Sequence, residues 1–135
     1  MTWGPLHCSA ARCTESGEVT GTAFQLRPQD DFLSVNWLEF LQLSSRDEEV
    51  NEIRKVFSLK LKRVGTKSKF AVLNVGKLIE YVRINSPDRR ELSVLHEPED
   101  IDPSHSGVFG FSLDDDMIAD LIAQVVSETY PAKEA

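Results

Sequence analysis

The sequence predicts an α+β fold, a single mixed sheet of about four or five strands with about three helices packed on it. Segments of strand character alternate with segments of helical periodicity, which is typical of one sheet with helices on it. The strand segments are short and the early ones suit hairpin pairing, which favours α+β over a doubly wound α/β fold. A long amphipathic C-terminal helix completes the prediction.

The C-terminal helix is the best specified element of the sequence. Ser112 followed by Asp115 resembles a capping box, and the acids at 114–116 place negative charge at the positive end of the helix dipole. Residues 108–111 suit a short buried strand that turns into this helix. We expect the helix to close the hydrophobic core through apolar pairs that recur every four residues: Met117 and Ile118, Leu121 and Ile122, Val125 and Val126.

The early part of the chain holds weaker signals. Residues 1–18 fit no regular pattern, and we expect an irregular N-terminal arm there. Residues 19–26 are rich in β-favouring side chains and predict a strand that ends at Pro28. Residues 32–35 suit a second strand, and periodicity leaves open whether residues 36–43 form a short helix.

The middle of the chain begins with a helix predicted over residues 47–57. Ser45 and Glu48 form a capping box ahead of apolar residues at helical spacing. The residues that follow, as far as Lys62, alternate between apolar and polar and suit either a strand or the tail of the helix. Residues 64–68 are expected to form a turn.

Three further elements are predicted before the C-terminal unit. Residues 70–75 are nearly all apolar and predict a central strand. A short helix is expected over residues 76–84, because its apolar residues fall at helical spacing and Pro87 follows. Residues 92–95 predict another strand, and the proline-bounded residues 97–103 predict a polar loop.

Length and composition fit one folded domain over residues 1–135. Charged residues make up 27% and hydrophobic residues 41% of the chain, as in ordinary folded proteins. No apolar run approaches membrane-spanning length and no secretory signal is visible, so we expect a cytoplasmic protein that does not bind membranes. Cys8 and Cys13 are too few for a disulfide framework.

Basic residues are concentrated in one part of an otherwise acidic chain. The net charge of −7 disfavours nucleic acid as a partner. Residues 53–79 carry eight basic residues and no acid, whereas the rest carries seven basic and 22 acidic residues. These charges could bind an anion or a partner, or they could complement the chain's own acidic surface or a second copy. The candidates around the turn at Gly65 are Lys60, Lys62, Lys67 and Lys69.

Residues 96–107 concentrate the groups that could perform chemistry. They hold two histidines, four carboxylates and two serines on a predicted loop, and loops at strand ends often carry reactive groups. His105, His96 and Ser104 are the catalytic candidates. A Ser–His neighbour pair resembles a nucleophile with its base, although adjacent side chains seldom align. The alternative is a turn in which His105 binds backbone groups and holds the loop.

No cofactor and no metal site is predicted. Cys8 and Cys13 form a single pair, whereas structural zinc sites show tighter and repeated ligand spacing. The acids at residues 114–116 are already explained by the helix that follows them. The sequence contains neither a Gly-rich phosphate loop nor a dinucleotide fingerprint.

A possible ligand site lies earlier in the chain. Arg27 follows a predicted strand and precedes the polar residues Ser34 and Asn36. These three side chains could together bind a carboxylate or a phosphate. Arg27 could equally form an ion pair with Asp30 or Asp31 at the rim of the fold.

Four segments form a recognisable set: Arg27 with Pro28, residues 33–37, residues 70–76 and residues 102–107. Together they resemble a loose group of small uncharacterised bacterial proteins, some of which are carried on mobile elements such as integron gene cassettes. The resemblance covers most of the chain and implies a bacterial, cytoplasmic accessory protein, with no activity to carry over.

Two classes of function follow from these observations. Because the sequence shows no complete catalytic set, we expect an accessory protein that binds a protein partner, a second copy of itself or a small ligand. The alternative is a small enzyme, which requires the candidate polar residues to meet in one cleft: Arg27, Ser34, Asn36, His96 and His105.

Overall fold

The fold is seen in a computed structural model that describes residues 8–60 and 67–133. Within these residues one antiparallel sheet of six strands packs against three α-helices, which confirms the α+β class. The single sheet with three helices is as predicted, but the sheet has six strands rather than four or five and is antiparallel rather than mixed. The elements are β1 (Ser9–Thr14), β2 (Leu33–Trp37), α1 (Arg46–Lys60), β3 (Lys69–Asn74), α2 (Val75–Asn85), β4 (Ser93–His96), β5 (His105–Phe109), α3 (Asp116–Val125) and β6 (Glu128–Pro131).

The strands lie in the order β4-β5-β2-β1-β3-β6, so β1 occupies the interior of the sheet. This corrects the prediction that residues 1–18 form an irregular arm, of which residues 1–7 lie outside the described part. The sequence of β1 is Ser-Ala-Ala-Arg-Cys-Thr, which lacks the usual β-favouring side chains. Ala10 and Ala11 are instead small enough to be buried on opposite faces, beneath helices on both sides.

Helices cover both faces of the sheet. α2 and α3 pack on one face, where Val35 points into the larger core cluster. α1 packs on the other face, where Val50 and Ile53 meet Val72 in a second cluster. Because side chains alternate along a strand, residues 34 and 36 of β2 face the side of α1.

Side-chain caps begin the two earlier helices, and the sequence predicts the first of these caps but not the second. The Ser45 hydroxyl accepts a hydrogen bond from the Glu48 N–H at 3.2 Å, and α1 extends to Lys60 rather than becoming a strand after Phe57. The Asn74 side chain accepts a hydrogen bond from the Lys77 N–H, which caps α2. The predicted turn at residues 64–68 falls largely outside the described residues.

The predicted strand over residues 19–26 is wrong. Its centre is a 3₁₀ helix, Gly21–Phe24, which packs against α3. Gly21 permits this contact because a Cβ there would lie 1.7 Å from the Asp120 Oδ1. The segment that periodicity left open contains a second 3₁₀ helix, Glu39–Leu41.

The long C-terminal helix is also corrected. α3 has 10 residues, begins at Asp116 and is followed by β6 on the edge of the sheet. Its predicted buried face is largely confirmed: Leu121 and Ile122 are buried, although Met117 is 53% exposed. No helix among the described residues combines the length and the apolar character that crossing a bilayer requires.

Candidate functional site

The polar site lies on the α1 face of the sheet, where β2 and β5 pair. Asn36 is in register with His105, so their side chains emerge side by side. His105 is the first residue of β5, which corrects the prediction that it belongs to the loop. Both residues are buried, and the segment that connects β4 to β5 lies beside them.

Asp102 is the centre of a buried hydrogen-bond network. Its side chain is fully buried. The Asn36 Nδ2 donates to Asp102 Oδ1 at 2.7 Å and to the Ser104 Oγ at 2.9 Å. The Ser104 hydroxyl is thus occupied inside the protein rather than presented to a substrate. These bonds attach the β4–β5 connection to the middle of the sheet.

Lys60 closes this network from the end of α1. Its ammonium lies 2.8 Å from Asp102 Oδ2 and 2.9 Å from Glu99 Oε1. Burial lowers the pKa of Lys60, but the hydrogen bonds to the two carboxylates outweigh burial and leave the pKa above its ordinary value. The hydrogen bond from Lys60 likewise lowers the pKa of Glu99. Lys60 and Glu99 are therefore both ionised at neutral pH.

His105 joins this network to an exposed serine. Its Nδ1 lies 2.8 Å from the Glu97 carbonyl oxygen and 4.0 Å from Glu99 Oε2. Its Nε2 lies 3.2 Å from the Ser34 Oγ. Ser34 is exposed, whereas the His105 side chain is only 8% exposed. The sequence predicted both residues but not this pairing.

His96 belongs to a separate, aromatic cluster. The register places His96 opposite Ser106, which pairs with Val35 on the side of α2 and α3. Its ring lies 4.5 Å from that of Phe40 and 5.4 Å from that of Trp37. Its Nε2 lies 2.7 Å from the Pro103 carbonyl oxygen. The structure therefore does not bring His96 and His105 to one site.

Arg27 is not part of the polar site either. Its guanidinium pairs with Asp30 at 3.0 Å, the rim interaction that the sequence offered as an alternative. Among the described residues Arg27 shares no hydrogen bond with Ser34 or Asn36. Arg12 occupies the neighbouring position instead, and its Nη1 donates to the Ser34 carbonyl oxygen at 3.1 Å.

The four lysines proposed as an anion or partner surface differ in their surroundings. The Lys60 charge is neutralised within the fold, as the alternative of internal complementation predicts. Lys67 and Lys69 are exposed at the start of β3. Lys62 lies outside the described residues, so the predicted anion-binding surface stays a prediction.

A cleft of about 640 Å³ lies between α2 and α3. The polar residues at its rim include Lys77 and Glu80, and its lining is mainly apolar. The hydroxyl of Tyr81 donates to the Gln124 side-chain oxygen and links the two helices. Sequence periodicity could not show this cleft, because it depends on how the two helices pack. Its apolar lining includes Ile84 and Val125.

No protein-family model matches the chain, and no match was found among curated proteins or solved structures. The resemblance to integron-cassette proteins, and the bacterial, cytoplasmic setting that it implies, therefore stay predictions.

Proposed function

We propose that this protein binds a small molecule in the cleft between α2 and α3. The observation that carries the proposal is the cleft itself. Its volume lies in the range of about 300–1,000 Å³ that is usual for ligand sites, and such sites combine apolar walls with a few polar groups. The expected ligand has a flat apolar body and at least one polar or charged group.

The side chains of the cleft support this class of ligand. Ile84 is 53% exposed, and a large apolar side chain at a concave surface gains from being covered by a ligand. The Tyr81 ring offers an aromatic wall. Lys77 lies one helical turn before Glu80 at the rim of the cleft. The Lys77 ammonium can bind an anionic group of the ligand, and the Glu80 carboxylate can accept a hydrogen bond from a ligand hydroxyl or amide.

A small ligand is favoured over a protein partner because this apolar surface is concave and bordered by charges. An enzyme site made of all five predicted polar residues is disfavoured, because Arg27 and His96 lie away from His105. Binding of a second copy remains the other prediction for partners, and light scattering during size-exclusion chromatography would measure it.

The experiment is a fluorescence titration with anilinonaphthalene sulfonate, an aromatic apolar probe that carries one anionic group. We expect Ile84→Glu to weaken binding at least ~10-fold, because it places a charge on the apolar wall. Met117→Glu is the matched control, because Met117 is also 53% exposed but lies outside the residues that line the cleft. Equal binding by both variants, or no binding by the wild type, would reject the proposal.

A further inference from the structure

The Ser34–His105 pair lies on the sheet face opposite the cleft and is independent of it. Leu33 and Val35 point into the core beneath α2 and α3, so Ser34 points to the other face. Ser34 is exposed, and its Oγ lies 3.2 Å from His105 Nε2. This is the distance at which a histidine can take the proton of a hydroxyl nucleophile.

The protein fixes which nitrogen of His105 carries its proton. The Glu97 carbonyl oxygen, 2.8 Å from Nδ1, can only accept a hydrogen bond. Nδ1 therefore carries the hydrogen in the neutral imidazole, and Nε2 presents its lone pair to Ser34. In this tautomer the Ser34 hydroxyl donates to Nε2, as a serine nucleophile donates to its general base.

Backbone contacts hold both partners in place. His105 lies in β5, and its own carbonyl accepts the Glu97 N–H at 2.9 Å, so Glu97 contacts it at two points. The Ser34 carbonyl accepts a hydrogen bond from Arg12, and Ser34 is in register with Gly107 across the β2–β5 pair. A pair built on two adjacent strands is more rigid than one carried by loops.

An apolar wall lies next to this pair. The Phe32 ring lies above Gly107, where a Cβ would be 2.3 Å from Phe32 Cδ2. The Phe32 ring also lies 4.8 Å from that of Phe109 and 5.9 Å from that of His105. Both phenylalanines are partly exposed. A small ester can pack its aryl or acyl group on these rings and bring its carbonyl carbon to the Ser34 oxygen.

We propose that Ser34 and His105 form a nucleophile–base dyad that hydrolyses small neutral esters with an aryl or short acyl group. The Ser34 Oγ attacks the ester carbonyl carbon and gives its proton to His105 Nε2. The tetrahedral adduct then expels the alcohol, which takes that proton, and leaves an acyl group on Ser34. Water attacks the acyl-serine with His105 again as base, and the carboxylic acid departs as Ser34 regains its proton.

The test uses p-nitrophenyl acetate with the full chain. The release of p-nitrophenolate is followed by absorbance, and peptide mass spectrometry locates the acetyl group. We expect acetylation of Ser34 and no such adduct in Ser34→Ala. We expect His105→Gln to slow the release on the order of 100-fold, because positioned bases contribute about 10²–10⁴ in rate. Ser93→Ala, which removes an exposed serine from β4 of the same sheet, should match the wild type.

Acetyl groups found on lysines but not on Ser34 would overturn the dyad, and so would a Ser34→Ala variant that reacts at the wild-type rate. Because His105 is buried, circular dichroism must first show that His105→Gln is folded. If that variant does not fold, the exposed Ser34→Ala substitution and the mapped site of acetylation decide the question.

Discussion

The Lys60 ammonium lies 2.8 Å from the Asp102 carboxylate, which is fully buried, and so joins the end of α1 to the β4–β5 connection. Asn36 attaches the same carboxylate to the centre of the sheet. Three elements that are distant in sequence thus meet at one buried charge. The polar residues of this region therefore stabilise the fold, and the Ser34–His105 pair lies at the edge of their hydrogen-bond network.

Lys60→Met should destabilise the protein by about 3 kcal/mol, because a buried carboxylate that loses its cation is strongly unfavourable. Urea unfolding measures the change. Lys67→Met is the control, since Lys67 is exposed and should change stability by less than ~0.5 kcal/mol. In an Asp102→Asn background the cost of Lys60→Met should fall by at least ~1.5 kcal/mol, because no buried charge then remains. Equal costs in the two backgrounds would show that the two residues are not coupled.

The free energy of unfolding should decrease at alkaline pH because the Cys13 thiol ionises more readily in the unfolded chain. Burial raises the pKa of the Cys13 thiol from 9.0 to about 11. Between these values the folded protein keeps a proton that the unfolded chain releases, so rising pH favours unfolding. The wild type should lose about 2 kcal/mol more than Cys13→Ala between pH 9 and 11. Urea unfolding under reducing conditions at several pH values tests this, and parallel pH profiles would contradict it.

Asp115 should stabilise the start of α3 at neutral pH. The hydrogen bond from Arg90, followed by that from the Ser112 N–H at 2.8 Å, lowers the pKa of Asp115 below 3.8. The stabilisation by the ionised Asp115 carboxylate is therefore complete above the unfolded pKa of 3.8 and is lost as the pH falls through the lower pKa of the folded state. Asp115→Asn should cost about 1 kcal/mol at pH 7 and nothing below both pKa values. Thermal unfolding at several pH values measures it, with the exposed Asp114→Asn as a control; an effect that persists in strong acid would contradict it.

Gly110→Ala should destabilise the turn after β5. Gly110 has a φ of +113°, which side chains other than glycine rarely adopt, and a Cβ there would lie 2.8 Å from the Glu91 carbonyl oxygen. That oxygen belongs to the backbone and cannot rotate away. We expect a loss of about 2–3 kcal/mol in urea unfolding. A loss below ~0.5 kcal/mol would mean that the turn has an alternative conformation.

The sequence predicts those elements whose signals are local. The Ser45 cap and the apolar spacing of α1, the apolar run of β3 and the buried face of α3 all depend on neighbouring residues, and each matches the structure. β1 could not be predicted from its own residues. Its alanines fit because helices that are remote in sequence cover both faces of the sheet at this strand. The Gly21–Phe24 segment resembles a strand in composition, yet it packs as a 3₁₀ helix against α3.

The candidate site was predictable in its components but not in its pairing. The concentration of polar residues at 96–107 indicates a site, and it contains His105 and Asp102. Which serine approaches His105 depends on the register of β2 against β5, and this register selects Ser34 rather than the adjacent Ser104. Arg27 could not be excluded from sequence, because its pairing with Asp30 and an approach to Ser34 are equally compatible with the spacing.

The interior position of β1 also determines when the sheet can assemble on the ribosome. β1 pairs along its whole length with β3, whose Lys69 lies opposite Thr14, but with β2 only at Ala10 and Ala11. A nascent chain that ends before Lys69 therefore lacks the main pairing partner of its middle strand. Such a chain would leave most of the β1 backbone without strand partners until β3 has been synthesised.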